Sequence, residues 1–78
     1  PYKSLRMQCS EQVPHSSLKK YGNIIEYSDF CFTILILRED LPKVVANCLN
    51  EFSVKDLEVS DPPIEKLIGD LFQSNNTF

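Results

Sequence analysis

The chain has 78 residues, of which 42% are hydrophobic and 24% charged, with a formal net charge of −3 at pH 7. This is enough for one small core and no more, and the composition is that of a chain that folds. The acidic balance argues against phosphate backbones and anionic membrane surfaces, which need a clustered positive field. The longest apolar run, Phe30 to Leu37, falls far short of the roughly 18 residues of a membrane span.

Residues Tyr2 to Cys9 alternate, with Leu5, Met7 and Cys9 on one side and Ser4, Arg6 and Gln8 on the other, the period of a half-buried strand. Val13, Leu18 and Tyr21 are spaced for a short helix over 14–21, closed by Gly22 in the left-handed conformation. Two strands follow, over 23–27 and 30–37, flanking Ser28-Asp29 as a tight turn. The second of them is apolar on both sides, with Phe30, Phe32, Ile34 and Ile36 on one and Cys31, Leu35 and Leu37 on the other, which places it mid-sheet.

Asp40 and Pro42 open an amphipathic helix over 41–52, with Asp40 as its cap and Leu41, Val44, Val45, Cys48, Leu49 and Phe52 as its apolar stripe. A strand over 54–59 comes next, in which Lys55, Leu57 and Val59 oppose Asp56 and Glu58. Asp61-Pro62-Pro63 starts a third helix over 62–72, with Ile64, Leu67, Ile68, Leu71 and Phe72 as its stripe; residues 74–78 read as a flexible tail. The succession strand–helix–strand–strand–helix–strand predicts an α+β, ferredoxin-like sandwich: a four-stranded antiparallel sheet with two helices on one face, plus the C-terminal helix.

Catalytic and cofactor patterns are scarce. His15 is the only histidine and has no Asp, Glu or Cys at ligand or triad spacing, so it reads as a solvated loop residue. Without a C-x-x-C pair no zinc site is indicated, and without a Gly-rich phosphate loop the chain cannot cradle a nucleotide. Arg6 and Arg38 sit in and at the end of strands, unsuited to the phosphate loop of an acylphosphatase-type enzyme. Phe30 and Phe32 lack the basic-Gly lead-in of base-stacking RNA modules.

No catalytic residue and no metal ligand is therefore assigned. The widely spaced Cys9, Cys31 and Cys48 read as free thiols of a reducing compartment. Pro at position 1 and the lack of a signal-peptide pattern suggest a piece of a longer cytoplasmic protein. Two helices cover only one sheet face, so the row Phe30, Phe32, Ile34 and Ile36, together with Gly69 and Phe72 of the third helix, is the candidate docking or dimerisation surface.

Residues 54–72 resemble the C-terminal signature of bacterial ABC transporter ATP-binding subunits of the drug-export (ABC-2) type. In those chains a strand runs into an acidic-Pro-Pro-apolar-Glu turn, a helix and an aromatic. Asp61, Pro62, Pro63, Ile64, Glu65, Ile68, Leu71 and Phe72 carry that pattern, and Arg38 to Val45 is similar to the family's strand-to-helix segment.

The resemblance implies a non-catalytic accessory domain behind a nucleotide-binding domain, peripheral at the inner face of the cell membrane. ATP and Mg would be bound elsewhere in the parent chain and not by this fragment. The implied partners are proteins, a second copy and a membrane permease subunit, with no nucleic acid and no direct membrane insertion. A regulatory domain of the same fold that senses a small molecule is the alternative; a ligand-induced rise in melting temperature would favour it.

Overall fold

The computed structural model describes residues 2–62. Four strands, β1 (Tyr2–Cys9), β2 (Asn23–Ser28), β3 (Cys31–Leu37) and β4 (Val54–Ser60), form one sheet in the order β2-β3-β1-β4, every neighbouring pair antiparallel. One helix, α1 (Leu41–Glu51), joins β3 to β4. The architecture is therefore α+β, with an open four-stranded antiparallel sheet and a single α-helix among the described residues. The two-helix sandwich expected from the sequence does not form there, and the expected helix over 62–72 lies outside those residues.

The expected helix over 14–21 is replaced by a single 3₁₀ turn, His15–Ser17, with Pro14 extended. Its backbone bonds are short-range: the Ser17 N–H donates to Pro14 O at 3.0 Å, the Leu18 N–H to His15 O at 3.1 Å and the Tyr21 N–H to Leu18 O at 3.0 Å. Val13, one residue upstream, gives its N–H to Asp29 O at 2.8 Å, which ties this segment to the β2-β3 turn. So short a stretch, containing a proline and two serines, repays little of the cost of helix nucleation, whereas separate anchoring buries Val13 and Leu18 in the core.

Gly22 is not left-handed as expected. Its role is close approach, because a Cβ there would lie 2.4 Å from the backbone oxygen of Leu35. Asp29 and Phe30 form the turn, since Ser28 pairs directly with Cys31 and the Ser28 hydroxyl donates to Cys31 O at 3.2 Å.

Into α1 the chain winds through a 3₁₀ turn, Arg38–Asp40, and Asp40 makes no side-chain capping bond, contrary to expectation. Pro42 sits in the first turn, where its missing N–H leaves no carbonyl unpaired. Val44 and Cys48 are buried, while Leu41, Val45 and Phe52 pack at the margin of the core. Leu49, expected in the apolar stripe, is half exposed, because a single helix on a flat sheet buries a narrower stripe than one packed on two sides.

The core lies between the sheet and the layer made by α1 and the segment 10–22. It holds Leu5, Met7 and Cys9 of β1, Phe32, Ile34 and Ile36 of β3, and Val13, Leu18, Val44 and Cys48 from the covering layer. Phe52 meets Phe32 edge-on at 5.9 Å and Tyr21 edge-on at 6.4 Å, an aromatic chain that joins α1 to the segment before β2.

Candidate functional site

The structure separates the residues proposed from sequence as a docking row. Phe32, Ile34 and Ile36 are 1%, 0% and 2% exposed. Pairing of β1 with β3 sets Phe32 opposite Met7 and Ile34 opposite Leu5, and this whole row faces α1. It is the core, and no partner can reach it while the fold stands. Phe30 is apart from them, exposed on the β2-β3 turn. Gly69 and Phe72 lie outside the described residues.

The other face of the sheet is polar. Cross-strand registers place Glu26, Thr33, Arg6 and Glu58 in one row running across all four strands, and Ser28, Cys31, Gln8 and Asp56 in the next. Thr33 is 7% exposed, and its hydroxyl donates to Glu26 Oε1 at 3.4 Å. Arg6 is central in its row, and its pKa is raised, first by the Cys31 side chain and then by the carboxylates of Glu58 and Glu26. This guanidinium stays charged at every physiological pH and offsets part of the flanking negative charge.

The second apolar row of β3 thus has a different meaning from the first. Leu35 is buried, Thr33 is polar, Cys31 is intermediate and Leu37 is exposed.

β4 is the edge strand next to β1, and every residue from Lys55 to Ser60 is exposed. Its side chains divide cleanly. Leu57 and Val59 pair with Met7 and Leu5 on the helix side, whereas Asp56, Glu58 and Ser60 pair with Gln8, Arg6 and Ser4 on the polar side. The register shifts between Gln8 and Cys9, opposite Lys55, and is regular from Asp56 to Ser60. A depression of about 400 Å³ is lined by Arg6, Gln8, Asp56, Leu57 and Glu58. Asp56 Oδ1 accepts the Leu57 N–H at 2.9 Å. Asp61 binds Lys3 Nζ through Oδ1 at 2.6 Å, and that ammonium holds its carboxyl below the usual range; the helix it is expected to cap lies outside the described residues.

A second polar cluster closes the far end of α1. The Tyr21 hydroxyl donates to Glu51, and Lys20 Nζ lies 3.0 Å from Glu51 Oε1 and 5.2 Å from the centre of the Tyr21 ring. Glu51 stands in the last helical turn, where a carboxylate is disfavoured by the helix dipole, and its two partners compensate. These bonds, the one from Tyr21 first, hold its carboxyl below the ordinary value. Burial followed by the Glu51 bond pushes Tyr21 up to about 12, and burial pushes the Cys48 thiol up to about 11. Raised thiols are poor nucleophiles and poor metal ligands at neutral pH, and Cys9 is raised for the same reason.

His15 is exposed and rests edge-on against Tyr27, with ring centres 4.9 Å apart. Among the described residues no three His, Cys, Asp or Glu side chains converge as a metal site. The groups on offer are those of a binding surface: strand backbone with no described strand beyond it, two carboxylates and two apolar side chains on β4. The alternation that builds this surface is visible in the sequence at residues 55–59; its position at the sheet edge is not.

A family model described as EvrA-like ABC transporter, C-terminal domain, matches residues 1–60, which take in every described strand and α1. The chain belongs to this EvrA-like C-terminal domain family. No curated protein and no solved structure matches it. The EvrA-like match ends before Asp61-Pro62-Pro63-Ile64-Glu65, and it shares residues 38–45 and 54–60 with the stretches that carry the sequence resemblance. No described helix of the EvrA-like domain is long and apolar enough to cross a membrane.

Proposed function

We propose that this EvrA-like domain is the non-catalytic C-terminal interaction domain of the ATP-binding subunit of an ABC exporter. The observation that carries this reading is the family match over residues 1–60, a span containing the whole described sheet. ATP and Mg belong to the nucleotide-binding domain of the parent subunit. The sequence of this domain has no Gly-rich loop, and its one described glycine, Gly22, is spent on the approach to Leu35, so its residues do not fit a nucleotide phosphate. Its own task is protein contact: with a second ATP-binding subunit or with the permease subunit, at the cytoplasmic face of the membrane.

The test is deletion of the domain from the full-length subunit, followed by separate measurement of ATP hydrolysis and of transport by the assembled exporter. Hydrolysis by the free subunit is expected to survive, while assembly with the permease or coupling of hydrolysis to transport is lost. Wild-type transport and assembly after deletion would overturn the reading, and so would ATP hydrolysis by the 78-residue chain alone.

A further inference from the structure

The two edges of the sheet are unequal. β2 carries a register irregularity between Ile24 and Glu26, and a bulge is a common way of blunting an edge. The hydroxyl of Tyr27 reaches across to Val13 O at 2.6 Å, so the segment before β2 is fastened over this side. β4 has its own bulge, at Lys55, but from Asp56 to Ser60 the register is regular, no proline interrupts it and no described strand lies beyond it; the Leu57 N–H is held by Asp56 Oδ1 at 2.9 Å, a local bond that an added strand would displace.

Leu57 and Val59 extend the apolar face past the cover of α1 and are 36% and 41% exposed. Asp56 and Glu58 point to the opposite face. Any strand added here meets carboxylates on one side and apolar side chains on the other, in alternation.

A second copy of β4 is a poor occupant. In an antiparallel pair with its two-fold axis at Leu57, Asp56 faces the Glu58 of the other copy twice. Moving the axis to Asp56 or Glu58 sets that carboxylate against itself. Like charges directly opposed across strands destabilise the pairing. In the registers centred on Asp56, Leu57 and Glu58 the edge thus opposes its own copy, and it suits the opposite charge.

We infer that β4 is a docking edge for an extended segment of another protein in which basic and apolar residues alternate. Its backbone would continue the sheet, its Lys or Arg side chains would lie beside Asp56 and Glu58, and its apolar side chains beside Leu57 and Val59. This goes beyond assignment to a transporter and does not depend on it.

The test uses the 78-residue chain and three eight-residue peptides: one alternating valine and lysine, one with the same residues in two blocks, and the alternating peptide with every second backbone amide methylated. The alternating peptide is expected to bind, to weaken as salt rises, and to shift amide resonances of residues 54–60 while leaving those of β2 in place. The D56N/E58Q variant, which keeps the side-chain shapes, is expected to bind it about tenfold more weakly, as two lost cross-strand charge pairs imply.

The methylated peptide keeps every charge and loses the ladder, so equal binding by it would overturn strand addition, as would equal binding by the block peptide. Failure of the alternating peptide to bind, or binding only after residues 63–78 are removed, would overturn the proposal too. None of these results bears on whether the parent subunit hydrolyses ATP or assembles with a permease, so the transporter reading stands or falls separately.

Discussion

The two faces of the sheet are built from the same strands and do opposite things. On the helix side Leu5, Met7, Phe32, Ile34 and Ile36 are sealed under α1 and the segment 10–22. On the other side Glu26, Thr33, Arg6 and Glu58 form a charged row across all four strands. Neighbours in sequence such as Phe32 and Thr33 are both nearly buried, at 1% and 7%, yet one is buried by packing and the other among polar neighbours. Low exposure alone does not identify a core. What a side chain is buried against decides its contribution.

Five substitutions, in four tests, sharpen this contrast, and the largest effect should come from the packed face. Phe32→Ala removes a ring that touches β1 and Phe52, and is expected to cost about 3–5 kcal/mol by chemical denaturation. Thr33→Val, one residue on, exchanges a hydroxyl for a methyl at equal volume and should cost less than about 1 kcal/mol. Comparable losses at the two positions would erase the distinction between the faces.

Gly22→Ala comes next. The added Cβ would overlap the Leu35 carbonyl oxygen, which is backbone and cannot swing aside, so a loss of about 1–3 kcal/mol is expected. A neutral result would show that the segment before β2 can retreat from β3.

A third test bears on the clasp at the end of α1. The Glu51 carboxyl is depressed, so its contribution is fully present above its unfolded value and is lost as pH falls through the folded one. Tyr21 is raised from 10.0 to about 12, so its contribution is complete below pH 10 and drains away as pH rises toward 12; Cys48 acts likewise from 9.0 to about 11. Stability measured against pH should therefore fall at both ends. Tyr21→Phe, expected to cost about 1 kcal/mol at neutral pH, should flatten the upper part of the alkaline limb and shrink the acid limb. An unchanged profile would remove the clasp from the account.

The smallest effect is expected at Lys3→Ala. Its partner Asp61 is largely solvent-exposed, so the melting temperature should barely move. The Asp61 carboxyl should nevertheless titrate higher once the ammonium is gone, which NMR reads directly.

Much of this architecture is legible in the sequence because periodicity reports local burial. All four strands and α1 fall where alternation and the i, i+3, i+4 spacing place them, within a residue or so at each end. Three features escape. Val13, Leu18 and Tyr21 fit a helical spacing, yet Val13 bonds Asp29 and Tyr21 bonds Glu51, partners distant in sequence, while Leu18 is buried in the core. The apolar row of β3 looks like a surface in need of cover because the sequence does not say which face α1 takes. Asp40 sits where a cap belongs, but it joins a 3₁₀ turn and makes no capping bond. In each case the missing information is tertiary. At the candidate edge the side-chain pattern of residues 55–59 is fully written in the sequence, while its exposure follows only from the strand order.

The pairing of Ser4 with Ser60 carries a mechanical consequence. Among the described strands the first begins beside the point where the last one ends, and the two run antiparallel. Tension drawn through both ends of the described chain therefore loads the β1-β4 ladder from one end, so its hydrogen bonds part in succession and not all together. Such a domain yields to a small pull. β4, whose other side is held by no described strand, would be the first element to peel away, and the core between α1 and β3 would be the last to feel the load.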